Sequence, residues 1–242
     1  MKPLRVSKSV VLIPIYKPEN HVPSLVENIH KKTRLPIVVV DDGSTLPRHR
    51  KIFRMLSIRP YITVLSHERN KGKGAALKSG FRHIIKLFPH TRGVIMADGD
   101  GQHIPQDVAK IASEGAKRPH MMTLGSRLLH RTEMPVKSKI GNAIARGSLK
   151  FFFGVDVTDN QTGLRFVPAR MLPTMATLSG NHFDYEMNML IRAADDHVGI
   201  REVPIETVYR KKGHISHYHP WRDTFRVVLL VTVAFFSRRI YV

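Results

Sequence analysis

Val94-Ile95-Met96-Ala97-Asp98-Gly99-Asp100-Gly101-Gln102-His103 is the stretch on which the fold turns. Four apolar residues run straight into a carboxylate, as a strand covered on both faces does when it reaches the edge of its sheet. In open α/β sheets that C-terminal edge is where ligands bind. If the backbone stays extended, the two-residue period of a strand puts Asp98, Asp100 and Gln102 on one side. Two carboxylates and an amide oxygen, with glycines leaving space around them, are hard ligands. They suit Mg2+ or Mn2+, which complete their shells with water and substrate phosphates. A solvated acidic turn is the structural alternative, since Asp and Gly are turn formers. The buried strand in front of the acids favours the metal.

Further out, apolar runs rich in β-branched residues recur at 10–13, 37–40, 62–65 and 121–124. Between them lie helical stripes. Leu77, Phe81, Ile84, Ile85 and Phe88 share one face of a helix opened by Gly74, and Val108, Ile111 and Ala112 belong to a helix started by Pro105. This alternation predicts an α/β fold, a mostly parallel sheet with helices on both sides. The second half differs. Residues 136–153 read as a basic helix, with Lys137, Lys139, Arg146 and Lys150 around Ile140 and Ile144. Phe183, Met187, Leu190, Ile191 and Ala194 form another helical stripe, and 200–209 alternates as a last strand through Val203, Ile205 and Thr207.

A chain of 242 residues buries one good core. It has no cysteine, which removes disulfides, thiolate zinc sites and cysteine nucleophiles together and suits a reducing compartment. Its 39 Lys and Arg against 19 Asp and Glu give a formal charge of +20. Such a field attracts polyanions: nucleic acid, anionic lipid or phosphorylated small molecules. The apolar run near the N-terminus is too short for a secretory signal and contains Pro14, so it reads as a first strand. Near the other end, 227–236 is almost wholly apolar between Arg226 and the pair Arg238, Arg239. Ten helical residues span only about 15 Å, half of the roughly 30 Å hydrocarbon core. This segment cannot cross a bilayer. It can lie in the interface with Trp221 and Phe225 as anchors, or pack on the core or in a dimer seam.

Two more segments carry chemistry. Asp41-Asp42-Gly43-Ser44 again ends a buried strand in acids, where a carboxylate can accept from a base N–H or a ribose hydroxyl; a ligand-free turn reads equally well. Glu68-Arg69-Asn70-Lys71-Gly72-Lys73-Gly74 is a basic glycine loop feeding a helix, a cradle for an anion on free N–H groups. It is neither a Walker A loop nor a dinucleotide fingerprint, because Leu77 stands where a third glycine belongs. The 14 histidines contain no HExxH spacing and do not assemble a zinc site from sequence.

Taken in order, these segments resemble a known family. Ile13-Pro14-Ile15-Tyr16, Asp41-Asp42-Gly43-Ser44, Asn70-Lys71-Gly72-Lys73-Gly74, Asp98-Gly99-Asp100-Gly101-Gln102-His103 and Gly125-Ser126-Arg127 follow the pattern of family 2 glycosyltransferases. Lys137 to Asn142, Thr158 to Arg165, Phe183 to Glu186 and Val203 to Arg210 narrow the likeness to the polyprenyl-phosphate branch, similar to dolichyl-phosphate mannose synthases and undecaprenyl-phosphate sugar transferases. The resemblance runs from about residue 10 to 225 and implies a GT-A fold over 1–220, followed by a basic amphipathic membrane-interface helix over 221–242.

The activity it implies is inverting transfer of a hexose from a UDP- or GDP-sugar to a polyprenyl phosphate, with Mg2+ or Mn2+, at the cytoplasmic face of the cell membrane. Pro14, Tyr16 and Glu19 would border the nucleotide, Asp42 would meet its base or ribose, and Lys73 and Arg210 would serve the donor. Asp98, Asp100 and Gln102 would hold the metal. Asp159, Asp100 and Arg127 would be catalytic, with Asp159 orienting and not removing a proton. Arg127, Lys137, Lys139 and Arg165 would face the acceptor phosphate, and Glu186 reads either as acceptor positioning or as a core hydrogen bond. Gly213-His214-Ile215-Ser216-His217 departs from the mannose synthases, which carry a Lys there, so His217 has no assigned role. The expected partners are an anionic membrane surface, a separate small flippase-like membrane protein and a second copy of the chain, with no nucleic acid. Other readings keep the fold with a saccharide acceptor, make it a nucleotide-sugar binder without turnover, or make it a basic nucleic-acid binder. Against the last stands the lack of an RRM, KH or helix-turn-helix signature.

Overall fold

The computed structural model describes residues 9–127, 136–182, 184–206, 231, 232 and 235, with backbone only at 136–142 and 145. Its described strands are β1 (Val10–Ile15), β2 (Ile37–Asp41), β3 (Ile62–Ser66), β4 (Gly93–Met96), β5 (Met122–Ser126), β6 (Arg165–Pro168) and β7 (Ile200–Pro204). They form one sheet in the order β3-β2-β1-β4-β6-β5-β7. The first four strands run parallel, with Ile13 opposite Val39 and Leu12 opposite Met96. β5 and β7 also pair parallel.

The apolar runs are continuous because both faces are covered. Val10 and Leu12 point into one core and Val11, Ile13 and Ile15 into the other, as the strand period requires. On the first face lie α3 (Lys73–Leu87), α5 (Val136–Phe153), the short α6 (Leu172–Met175) and α7 (Asp184–Asp195). On the second lie α1 (Val22–Thr33), α2 (Pro47–Ser57) and α4 (Pro105–Lys117). α1, α2 and α4 each carry Pro in the first turn, where its missing N–H costs no helical bond.

The expected sheet is present, with one strand the pattern does not show. β6 lies antiparallel between β4 and β5, with Arg165 opposite both Met96 and Leu124. Only four residues long, with an arginine at its head and Pro168 at its end, it carries no legible alternation. α1 and α2 are likewise additions. The last strand stops at Pro204, and 207–209 lie outside the described residues.

Among the described residues no helix is long and apolar enough to cross a membrane. Of the C-terminal segment, Val231 is buried in the core and Phe235 packs against Phe152 and Phe153, with ring centroids 4.9 and 6.2 Å apart. These two residues thus pack on the protein. Trp221, Phe225, Arg226, Arg238 and Arg239 lie outside the described residues.

Candidate active site

β1, β2 and β4 end at the same edge of the sheet, and the expected residues gather there. Asp98 stands two residues beyond β4. Its Oδ1 meets Lys73 Nζ at 2.6 Å, and its Oδ2 lies 3.3 Å from His103 Nε2. Lys73 opens α3 and also reaches Glu186 Oε1 of α7 at 3.0 Å. One ammonium therefore joins two carboxylates contributed by different elements. Burial works to raise the Asp98 carboxyl, but Lys73 and His103 outweigh it and hold the group below the usual carboxylate range. Burial works to lower Lys73, and the two carboxylates outweigh it in turn, so its ammonium is held above its ordinary value.

After Asp98 the backbone does not stay extended. Residues 99–101 turn, Gly101 has φ +79°, and the Gln102 N–H donates to Asp100 Oδ1 at 2.9 Å. The expectation of three ligands in phase on one strand is corrected: glycines at 99 and 101 let the short Asp100 side chain close a local turn. From the other side Gly163 leans over Asp98, so closely that a Cβ there would overlap the carboxylate. No group of three or more His, Asp or Glu side chains among the described residues forms a metal cluster. A Mg2+ or Mn2+ site completed by phosphates needs only one or two protein carboxylates. Asp98 and Asp100 are carboxylates of that kind, and Gly163 keeps a side chain off Asp98, whose two oxygens here lie against Lys73 and His103.

The second cluster is the loop before β6. Asp159 is buried, and both its oxygens are taken by Arg127: Nε to Oδ2 at 2.7 Å and Nη2 to Oδ1 at 3.0 Å. Such a two-point pair fixes the guanidinium plane. The loop itself is held by Glu202 of β7, which accepts from the Thr158 N–H, the Thr158 hydroxyl and the Asp159 N–H at 2.7–2.9 Å. Sequence reasoning missed Glu202, since its partners lie 43 and 44 residues away.

Arg165 requires a correction. Expected at an acceptor phosphate, it is completely buried. It donates to the backbone carbonyls of Thr162, Glu186 and Asn160 at 2.8, 2.7 and 3.1 Å. Burial pulls its pKa down, against the fields of Glu186, Asp159 and Asp98. With no exposed surface and three of its five N–H donors on backbone carbonyls, the guanidinium ties the Asp159 loop to α7 and faces no open cleft.

Asp42 also faces inward. Its Oδ1 accepts from the Lys71 N–H at 3.0 Å and lies 2.7 Å from His67 Nδ1, while Oδ2 accepts from the Gly72 N–H at 2.8 Å. Expected at a base or ribose, the carboxylate instead fastens the basic glycine loop. Gly43, at φ +78°, makes room for that loop, whose Arg69 and Asn70 backbone would collide with any Cβ. His67 and its partner Ser79, 2.9 Å from His67 Nε2, carried no sequence signal. Pro14 lies in β1, and Tyr16 follows with its ring exposed and the Lys17 ammonium 5.0 Å from the centroid. Glu19 is an exposed carboxylate 3.4 Å from His21. Arg210 and His217 lie outside the described residues, as do the side chains of Lys137 and Lys139.

The site is thus an acidic turn and a cationic loop facing each other at a sheet edge. The sequence model of Glycosyl transferase family 2 matches residues 10–176. An uncharacterized protein of Methanocaldococcus jannaschii is 30% identical over 203 residues, covering 82% of this chain and 81% of its own length. The UDP-N-acetylglucosamine–dolichyl-phosphate N-acetylglucosaminyltransferase of Methanococcus voltae is 29% identical over 217 residues, covering 82% and 85%. Among solved structures, glucosyl-3-phosphoglycerate synthase from Mycobacterium tuberculosis, in complex with Mn2+, uridine diphosphate and phosphoglyceric acid, superposes with a TM-score of 0.68 at 16% identity. That match covers 93% of this chain and 78% of the synthase, a likeness of fold.

Proposed function

Because the chain belongs to glycosyl transferase family 2, we propose that it transfers a hexose from a UDP- or GDP-sugar to a polyprenyl phosphate, inverting the anomeric carbon, at the cytoplasmic face of a membrane. The observation that carries the reading is the Asp98 carboxylate just past β4, bound to the Lys73 that also holds Glu186, at the sheet edge where the Arg127–Asp159 pair follows β5. The Methanococcus relative, named for a UDP-sugar donor and a dolichyl-phosphate acceptor over nearly the same length, supports the choice of substrates.

In this reaction an oxygen of the lipid phosphate attacks the anomeric carbon as the bond to the nucleoside diphosphate breaks. A phosphomonoester has its second pKa near about 6, so at neutral pH the nucleophile is already ionised. No general base is needed, which accords with an Asp159 whose two oxygens are both held by Arg127. In this reading Arg127 presents positive charge to the acceptor phosphate, with Asp159 fixing its orientation. Lys73 bears on the donor side, its ammonium directed at the edge where Asp98 stands. Asp98 and Asp100 would hold Mg2+ or Mn2+, and the ion would supply charge that stabilises the leaving diphosphate. Tyr16 offers an exposed aromatic face for a base.

A membrane surface suits α5, where Phe151 is 83% exposed and Ile144 is exposed too, on the helix that also carries Arg146 and Lys150, both paired with Asp156. The test is a donor screen of UDP- and GDP-sugars with Mn2+ and a short polyprenyl phosphate, read by mass spectrometry of the lipid. A lipid heavier by one hexose unit is the expected product. Robust transfer to water-soluble saccharides with none to the lipid would overturn the reading.

A further inference from the structure

α3 has a second basic face. Lys73 points to Asp98, but Lys78 lies five residues on, about 140° around the helix at 100° per residue. Ala75, Lys78, Ser79 and Arg82 follow the i, i+3, i+4, i+7 spacing and share one stripe. That stripe, the loop after β3 and the segment between α6 and α7 line a groove of about 690 Å3. Arg69 and Lys71 contribute from the loop and Asn181 from the far segment.

The cations of the stripe are held in place. Arg82 Nη1 donates to the Ala176 carbonyl at 3.0 Å, and Lys78 Nζ donates to Asn181 Oδ1 at 2.7 Å while lying 5.8 Å from the centre of the Tyr185 ring. No carboxylate is among the described residues lining the groove. Asp184 acts on Lys78 only as a smaller influence than burial and Arg82, and Asp42 sits behind His67. Burial and the neighbouring Arg82 both push the Lys78 pKa down, the mark of a positive charge lacking enough negative charge nearby. Four cationic side chains, a serine hydroxyl and an amide around one concave surface match a phosphate group in charge and donors. The volume exceeds that of the phosphate, leaving room for the moiety that carries it.

We propose that this groove binds the phosphate of a phosphomonoester other than the lipid phosphate that accepts the sugar, and distinct from the diphosphate-linked donor. It stands apart from the transfer reaction, so the two readings fail separately. One hydrogen-bond chain connects the groove with the donor side: Ser79 to His67 to Asp42, whose carboxylate holds the Lys71 and Gly72 N–H groups.

The test uses the full chain with Mn2+ and saturating UDP and GDP to fill the donor site. Glycerol 3-phosphate is titrated by calorimetry, and binding to phosphatidylcholine vesicles with and without phosphatidic acid is read by flotation. Saturable binding of either probe is expected, weakened at least about tenfold in Lys78→Gln/Arg82→Gln, equivalent to about 1.4 kcal/mol. Because Arg82 also holds Ala176, Lys78→Gln alone, melting with the parent, serves as the second variant and should weaken binding about threefold or more. A response confined to glycerol 3-phosphate identifies a free ligand, and one confined to phosphatidic acid a lipid headgroup. Displacement by the nucleotides, indifference to both variants, or no saturable binding of either probe would overturn the proposal.

Discussion

Replacing Arg165 with methionine should loosen the protein before it affects any substrate. Methionine follows much of the arginine stem and adapts to irregular space, so the cavity left behind is small. The three carbonyls of Asn160, Thr162 and Glu186 lose their buried donors. Each orphaned acceptor costs about 1–3 kcal/mol, so the gross loss is roughly 3–9 kcal/mol. Part is returned, because the folded chain no longer desolvates a guanidinium. A net loss of about 3–4 kcal/mol is expected, a large share of the roughly 5–15 kcal/mol that stabilises a typical domain. For a chain of this length each kcal/mol shifts Tm by about 2–4 °C, so the melting point should drop by about 10 °C. Calorimetric melts, with KM for the lipid phosphate measured well below the transition, separate the two roles. Lysine at 165 should recover only part of the loss, since an ammonium cannot reproduce the planar fork. A Tm within about 2 °C of the parent, together with a tenfold rise in acceptor KM, would refute the reasoning and return Arg165 to the acceptor site.

Asp98→Asn and Asp100→Asn should each lower metal-dependent transfer by about 100-fold or more while leaving the far-ultraviolet dichroism unchanged; near-normal turnover in both would remove the proposed metal role. Gly163→Ala puts a methyl into the Asp98 carboxylate and should reduce transfer sharply. Gly147→Ala on α5, with nothing within 4 Å of its Cβ, should stabilise by up to about 1 kcal/mol and leave transfer intact. Equal activity in the two alanine variants would mean that the 163 backbone does not shape the site. Phe151→Ser should weaken flotation with anionic vesicles by about tenfold to a hundredfold, as expected for removing some 1.5–3 kcal/mol of apolar burial, at unchanged Tm; undiminished flotation would place the contact elsewhere.

The parallel half of the sheet was legible because two-sided burial writes continuous apolar runs that end in acids, as at Asp42 and Asp98. β6 was not, because its arginine was read as exposed. A buried guanidinium satisfied by backbone carbonyls leaves no local trace, since its acceptors come from 160, 162 and 186. The same holds for Glu202, which holds a loop some 43 residues earlier, and for His67, whose partners are Asp42 and Ser79. Asp98 was placed at the right edge of the sheet. The geometry after it was not, because Gly99 and Gly101 permit either an extended chain or a turn and sequence spacing does not choose between them. Lys73 was singled out from its loop, but its bond to Glu186 depends on how α7 packs against α3.

The reversed strand has a consequence for how such a protein can diversify. Because β6 runs against β4 and β5, its beginning lies at the rim where those two strands end. The 158–164 segment arriving at that rim and the 98–103 segment leaving it are neighbours in space but far apart along the chain. Insertions or exchanges in the arriving segment can reshape what faces Asp98 without altering β1, β2 or the turn that follows β4. A lineage can in this way retain one half of a reaction while trying new versions of the other, provided Gly163 stays small and Arg165 keeps the segment anchored from beneath.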